Sequence, residues 1–140
     1  MATYYPTNKQ SGTSQQNIGG LSTANCVWEI GSATLATTDL LQGPTIPANA
    51  VIVGGFLAAS DVDTGTTVTF SVGEGTTVSR FLSASTIGRS AGIAPLNIGG
   101  GYKTTASTRI DVTPLAAAAG GVSGGTIALS VSYIVLESTS

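Results

Sequence analysis

Hydrophobic and polar positions alternate with a period of two over much of this chain, most clearly near its C-terminus. In Gly125-Thr-Ile-Ala-Leu-Ser-Val-Ser-Tyr-Ile-Val-Leu-Glu137, one side carries Ile127, Leu129, Val131, Tyr133 and Val135. The other carries Ala128, Ser130 and Ser132, until Ile134 and Leu136 make the far end apolar on both sides. Side chains of a strand point alternately to opposite faces, so this pattern predicts a long strand with one face in a core. The doubly apolar end predicts cover on both faces there. Such a strand needs paired neighbours, and the preceding chain supplies several shorter runs of the same kind.

From Cys26 to Ala36 a first strand is expected, with Trp28 and Ile30 on one face, broken at Thr37-Thr38-Asp39. A turn-rich link through Gly43-Pro44 and Pro47 leads into a strand over Val51–Ala58, where the pair Gly54-Gly55 predicts a bulge or bend. Asp61-Val-Asp-Thr-Gly65 reads as a turn. After it Thr66, Val68, Phe70 and Val72 alternate with Thr67, Thr69 and Ser71 in a clean strand pattern. Gly73-Glu-Gly75 turns again, and Val78–Leu82 is a short segment whose Phe81 and Leu82 belong in the core.

Residues Ser83 to Gly101 read as a surface excursion with room for one short strand. Thr108–Val112 is a further strand, stopped by Pro114, because proline lacks the N–H that a ladder uses. Ala116 to Ala119 fit one helical turn or, with the glycines that follow, a loop. Residues 1 to 20 are polar and without periodicity, which predicts an extended arm that orders only where something holds it. Tyr4, Tyr5, Pro6 and Lys9 in that arm are the candidate partner-binding residues. Tyrosine offers large contact area with a polar tip; the alternative is a frayed terminus. The expected fold is therefore all-β: an antiparallel β-sandwich or jelly roll of six to eight strands over residues 21–140, one domain behind an extended N-terminal arm.

Composition sharpens this picture. Only 9% of the 140 residues are charged and 19 are glycine, so Ser and Thr fill the polar positions. Hydroxyl-bearing strands suit β structure but provide little of the charge that keeps free monomers apart, which points to a surface that meets other subunits. The net charge is −2, and Lys9, Arg80, Arg89, Lys103 and Arg109 are scattered. Phosphate recognition needs clustered cations, so no nucleic-acid partner is expected. No run is long and apolar enough to span a membrane as a helix, and the first ten residues lack the apolar core of a signal peptide. Synthesis in a reducing cytoplasm is the expectation.

Candidate chemistry is thin. Histidine is absent, which removes the usual general base and the commonest transition-metal ligand. The lone Cys26, in a strand-like run without a nearby cation, predicts a buried structural thiol. Asp61, Asp63 and Gly65 resemble the opening of a calcium loop, but Val72 stands where the closing Glu belongs, so an ordinary acidic turn is the better reading. Gly73-Glu-Gly75 lacks the third glycine and helix of a dinucleotide site, and Gly101-Tyr-Lys-Thr104 lacks the glycine before the lysine of a phosphate loop. No catalytic residue, cofactor or metal site is expected, and the chain is read as no enzyme.

One resemblance covers the chain from about Ala36 to Leu136. Ile46-Pro-Ala-Asn-Ala-Val-Ile-Val53, then Val68-Thr-Phe-Ser-Val-Gly-Glu-Gly75 with Arg80-Phe-Leu82, then Gly125-Thr-Ile-Ala-Leu-Ser-Val-Ser-Tyr-Ile-Val135, follow one another as in small virion proteins of tailed bacteriophages, of the head decoration (cement) type. Asn49 departs from the glycine common in that group, and residues 1–20 have no counterpart in it. The resemblance implies a β-sandwich or jelly roll that assembles, commonly as a homotrimer, on the capsid surface and bridges neighbouring subunits of the major capsid protein. It would be made in the host cytoplasm. Two other classes remain open from the residues: a phage tail, fibre or head-spike component, and a carbohydrate-binding β-sandwich, for which Trp28 and four tyrosines are few platforms.

Overall fold

A computed structural model describes residues 3–5, 21–99 and 101–136. Its strands are β1 (Thr3–Tyr4), β2 (Leu21–Gly31), β3 (Leu40–Leu41), β4 (Thr45–Ile46), β5 (Ala50–Ala59), β6 (Thr69–Glu74), β7 (Thr77–Ser85), β8 (Gly92–Pro95), β9 (Tyr102–Lys103), β10 (Thr108–Ala116) and β11 (Gly125–Val135). One 3-10 turn, Ile87–Arg89, lies between β7 and β8. The strands form two sheets. The first runs β1-β3-β10-β6-β7, with β4 also on β10; the second runs β2-β11-β5-β8, with β9 also on β5. Every pairing is antiparallel except the short β1–β3 contact. The protein is an all-β sandwich.

The C-terminal strand holds the second sheet together. β11 pairs with β2 from Gly125 opposite Gly31 to Ile134 opposite Leu21, and on its other side with β5 from Ile127 opposite Ala59 to Val135 opposite Ala50. Its burial alternates without a break, so its apolar side lies wholly between the sheets. Trp28, Tyr133, Phe70 and Phe81 are the largest side chains of the single core they share with Leu35, Leu41, Ile52 and Ile110. Trp28 satisfies its indole by donating Nε1–H to the Gln42 carbonyl at 3.0 Å. Burial raises the Tyr133 phenol above its ordinary pKa, with the cross-strand Ser22 hydroxyl pulling the other way. Cys26 is buried, as a structural thiol should be.

Several expectations need correction. The first strand begins at Leu21, five residues ahead of Cys26, and ends at Gly31. Pro114 does not stop β10, which runs on to Ala116. Pro114 sits opposite Phe70 on the β6 side, and the ladder shifts register between Pro114 and Ala116, so its missing N–H falls at a bulge. The alanines that follow form a loop, tied to the fold by the Ala118 N–H donating to the Leu35 carbonyl. The far end of β11 is not covered on both faces: Ile134 is half-buried and Leu136 is 48% exposed.

The strand over Val68–Val72 departs from simple alternation in the opposite sense. Ser71 and Gly73 are buried along with Val72. Two register shifts in the β6–β7 pair let β7 close over this side, where the Ser71 hydroxyl accepts from Ser79 Oγ at 3.2 Å and from the Ala84 N–H at 3.1 Å. A Cβ on Gly73 would collide with the backbone of Thr77 and Val78, which is why glycine stands there. The Gly54-Gly55 pair does mark a bulge: Ser132 pairs with Gly54 and Tyr133 with Ile52, leaving Val53 as the extra residue.

Candidate functional surfaces

Of the four predicted partner-binding residues, two lie among the described ones. Tyr4 pairs with Leu41, packs half-buried against the core, and accepts the Gln42 N–H on its carbonyl at 3.0 Å. Burial, and to a lesser degree the nearby Asp39 carboxylate, push its phenol above the ordinary value. Tyr4 is thus committed to the fold. Tyr5, 67% exposed, is the one that faces outward. Pro6 and Lys9 lie outside the described residues, as does most of the expected arm.

Many of the acidic and basic side chains are spent on joints within the fold. Asp63 is buried, and its carboxylate accepts four backbone N–H bonds: Gly65 and Ala119 on Oδ1, Thr67 and Val68 on Oδ2, all within 2.9 Å. Burial alone would raise its pKa; the N–H groups of Gly65, Val68, Thr67 and Ala119 outweigh that and hold it well below the usual carboxylate range. The Asp-x-Asp-x-Gly turn is therefore a structural knot that pins the β5–β6 link to the loop after β10. Its oxygens face amides.

A second joint crosses the sandwich. Glu74, at the end of β6, accepts the Tyr102 hydroxyl from β9 at 2.9 Å, the Thr108 hydroxyl from β10 at 3.0 Å, and Arg80 Nε at 2.9 Å. The Arg80 guanidinium also lies 4.6 Å from the centre of the Tyr102 ring, which meets Phe81 edge-on. Burial opposes ionisation of Glu74, but the two hydroxyls and the Arg80 charge prevail and lower its pKa. Tyr102 is shifted upward by burial and by the Glu74 carboxylate. A small polar recess of about 120 Å³ opens beside this cluster, lined by Thr104–Thr108 with Glu74 and Tyr102. Sequence reading missed this joint because its members are 28 and 34 residues apart and carry no shared motif.

Arg109 forms a bidentate pair with Asp111 at 2.8 and 3.0 Å, and Asp111 Oδ1 also accepts the Gly43 N–H. Arg89 donates to the Val68 carbonyl at 3.0 Å. Three of the five basic residues are thus bound to separate parts of the fold, and Lys103 stands apart on β9. Among the described residues no group of three or more acidic, Cys or His side chains converges. The geometry offers structural joints and surfaces for contact.

A surface of hydroxyl and apolar groups forms the outer face of the second sheet. There Leu21, Val53, Phe56 and Ile93 are exposed between hydroxyls, and Ala58, Ala128 and Gly92 floor a shallow dish of about 380 Å³. The alternating Ser and Thr pattern hinted at this face; the bulge that turns Val53 outward and the seating of Ile93 beside Ala58 did not show in the sequence.

No family model matches the chain, and no curated protein does. Solved structures do match. A chain of the capsid of Ralstonia phage GP4 superposes with a TM-score of 0.80 at 24% identity, covering 98% of this chain and 100% of that one. A chain of the cyanophage Pam1 capsid asymmetric unit gives 0.70 at 24% identity, over 93% of this chain and 90% of that one. A chain of the acidic stable capsid of Helicobacter pylori bacteriophage KHP30 gives 0.56 at 14% identity, over 89% and 95%. These likenesses show a shared β-sandwich fold along nearly the whole chain.

Proposed function

We propose that this chain is a non-enzymatic structural protein of a bacteriophage virion. It binds the outside of the capsid as a homotrimer and stabilises the shell by bridging subunits of the major capsid protein. The observation that carries the reading is the match to chains of three separate phage capsids, each covering about nine-tenths or more of this chain and of its counterpart. The order of motifs from Ile46 to Val135 supports the same assignment. So does the placement of many ionisable side chains in internal joints, which leaves surfaces rich in hydroxyl and apolar groups. A protein that binds only the assembled shell favours that shell by mass action, and needs no chemistry of its own to do so.

In this reading residues 1–20 are an arm that reaches the capsid, with Tyr5, Pro6 and Lys9 as its contacts, while the sandwich supplies the contacts between copies. Sedimentation of the purified protein, alone and with undecorated phage heads, tests it. The full chain should run as a trimer and co-sediment with heads. A Tyr5→Ala, Lys9→Ala double variant, which leaves β1 paired with β3, should keep its association state and lose the heads. Undiminished head binding by that variant would remove the arm from the docking surface, and a full chain that ignores heads would end the capsid assignment.

A further inference from the structure

We propose that the outer face of the sheet β2-β11-β5-β8 is a meeting surface for two copies of this chain, packed face to face about a two-fold axis. The face has the properties such a contact requires of one surface that must fit itself. Over the stretch of β11 from Thr126 to Ile134 the outward residues of β11 and β5 carry no charge, so two copies can approach without burying like charges. The charged residues on the face stand at its diagonal corners. Glu29 on β2 is in register with Thr126, at the start of β11; Lys103 on β9 is in register with Val51, which pairs with Ile134 at the other end.

A two-fold axis lying in the interface, at right angles to the diagonal from Glu29 to Lys103, carries Glu29 of one copy toward Lys103 of the other. The face is thereby complementary to itself in charge. It is also uneven in a matching way. Phe56, 42% exposed, and Ile93, 71% exposed, project beside the dish floored by Ala58, Ala128 and Gly92, where two methyl groups and a bare glycine leave room for an incoming apolar group. The extent suffices as well. Three strands about 4.8 Å apart and nine or more residues long at about 3.3 Å each, with the short β8 and β9 beside them, present on the order of 1,000 Å² for the pair. Specific interfaces begin near about 1,000 Å² and standard ones average about 1,600 Å², so a reversible contact is expected.

The proposal goes beyond the capsid reading and does not depend on it, since the face doubles whatever unit the chain forms. Sedimentation equilibrium of the full chain over a concentration series should show a reversible doubling of mass, from one copy to two or from three to six. Ala128→Arg places a charge in the middle of the face and should leave only the smaller species at tenfold higher concentration, with an unchanged far-UV spectrum. Glu29→Lys should weaken the doubling, and adding Lys103→Glu to it should restore it.

Three results would overturn the assignment. One is an Ala128→Arg mass equal to that of the parent with no change in melting temperature, which would leave the face open. Another is an equal mass with a lowered melting temperature, which would mean that the chain's own residues cover it. The last is a charge-reversed pair weaker than either single variant. Head binding is read separately in the same samples, so failure of the capsid reading and failure of the self-contact give different outcomes.

Discussion

At the scale of single residues, Asp63 ties two loops together through one side chain. Four amide donors from two loops converge on one buried carboxylate, and none of them has another acceptor in regular structure. Removing the acceptor strands one buried donor, the Val68 N–H, and three half-buried ones, at about 1–3 kcal/mol each where water cannot reach. Asp63→Ala should therefore cost at least about 3 kcal/mol in urea denaturation. Asp63→Asn should lie between, because an amide oxygen can keep some of the bonds. A loss under about 0.5 kcal/mol, the range of ordinary surface substitutions, would show that the knot is dispensable. The residue itself was legible: Asp61-Val-Asp-Thr-Gly65 announces a turn. Its role was not, because one of the four donors is Ala119, 56 residues away. Asn49 illustrates the reverse case. Its glycine counterpart in the resembling proteins looked like a departure in sequence; with φ of +59° the position needs a left-handed residue, and Asn tolerates that conformation better than most.

At the scale of elements, alternation was enough wherever a strand has one face in the core and one outside it. β11 is the case in point, from Ile127 to Val135. It failed where both faces are covered or the ladder slips. Ser71 was read as outward because polar residues at alternate positions normally are; β7 closing over it could not be foreseen, since that closure depends on irregular pairing. Pro114 was read as a stop because the sequence cannot say on which side of the strand its missing N–H will fall. The β7 irregularity has a backbone cost that can be measured. Ala84, exposed within that strand, has φ of +53°, a left-handed conformation that its Cβ disfavours. Ala84→Gly removes that strain while keeping the N–H that Ser71 accepts. The greater freedom of glycine in the unfolded chain offsets part of the gain, so a net stabilisation of about 0.5–1 kcal/mol is expected. Destabilisation of that size would mean the methyl group packs rather than strains.

At the scale of the whole molecule, the placement of ionisable groups sets how the fold responds to pH. No histidine is present, so no side chain has an ordinary pKa between about 5 and 8. The carboxylates that join the two sheets and the loops, Glu74 and Asp63, both titrate lower in the folded chain than in the unfolded one. For such groups the stabilisation is fully present above the unfolded pKa, near about 4, and is lost as pH falls toward the folded value, because the unfolded chain then binds protons that the folded one refuses. The expected profile of the urea midpoint is flat from about pH 5 to 8 and falling below about 4. Asp63→Asn should flatten much of the acid limb, since its depression is the larger, while Tyr102→Phe, which takes one hydroxyl from Glu74, should flatten it less and leave the neutral plateau nearly level. A midpoint that climbs or drops steeply between pH 5 and 8 would place a titrating group in the fold that neither the composition nor these joints contain. An acid limb identical in the parent and Asp63→Asn would mean that the unfolded chain already holds the carboxylate in a similar shell of amides. The two carboxylates tie β6 to β9 and β10 and the β5–β6 link to the loop after β10. The acid limb therefore reports how tightly the layers of the sandwich are locked together.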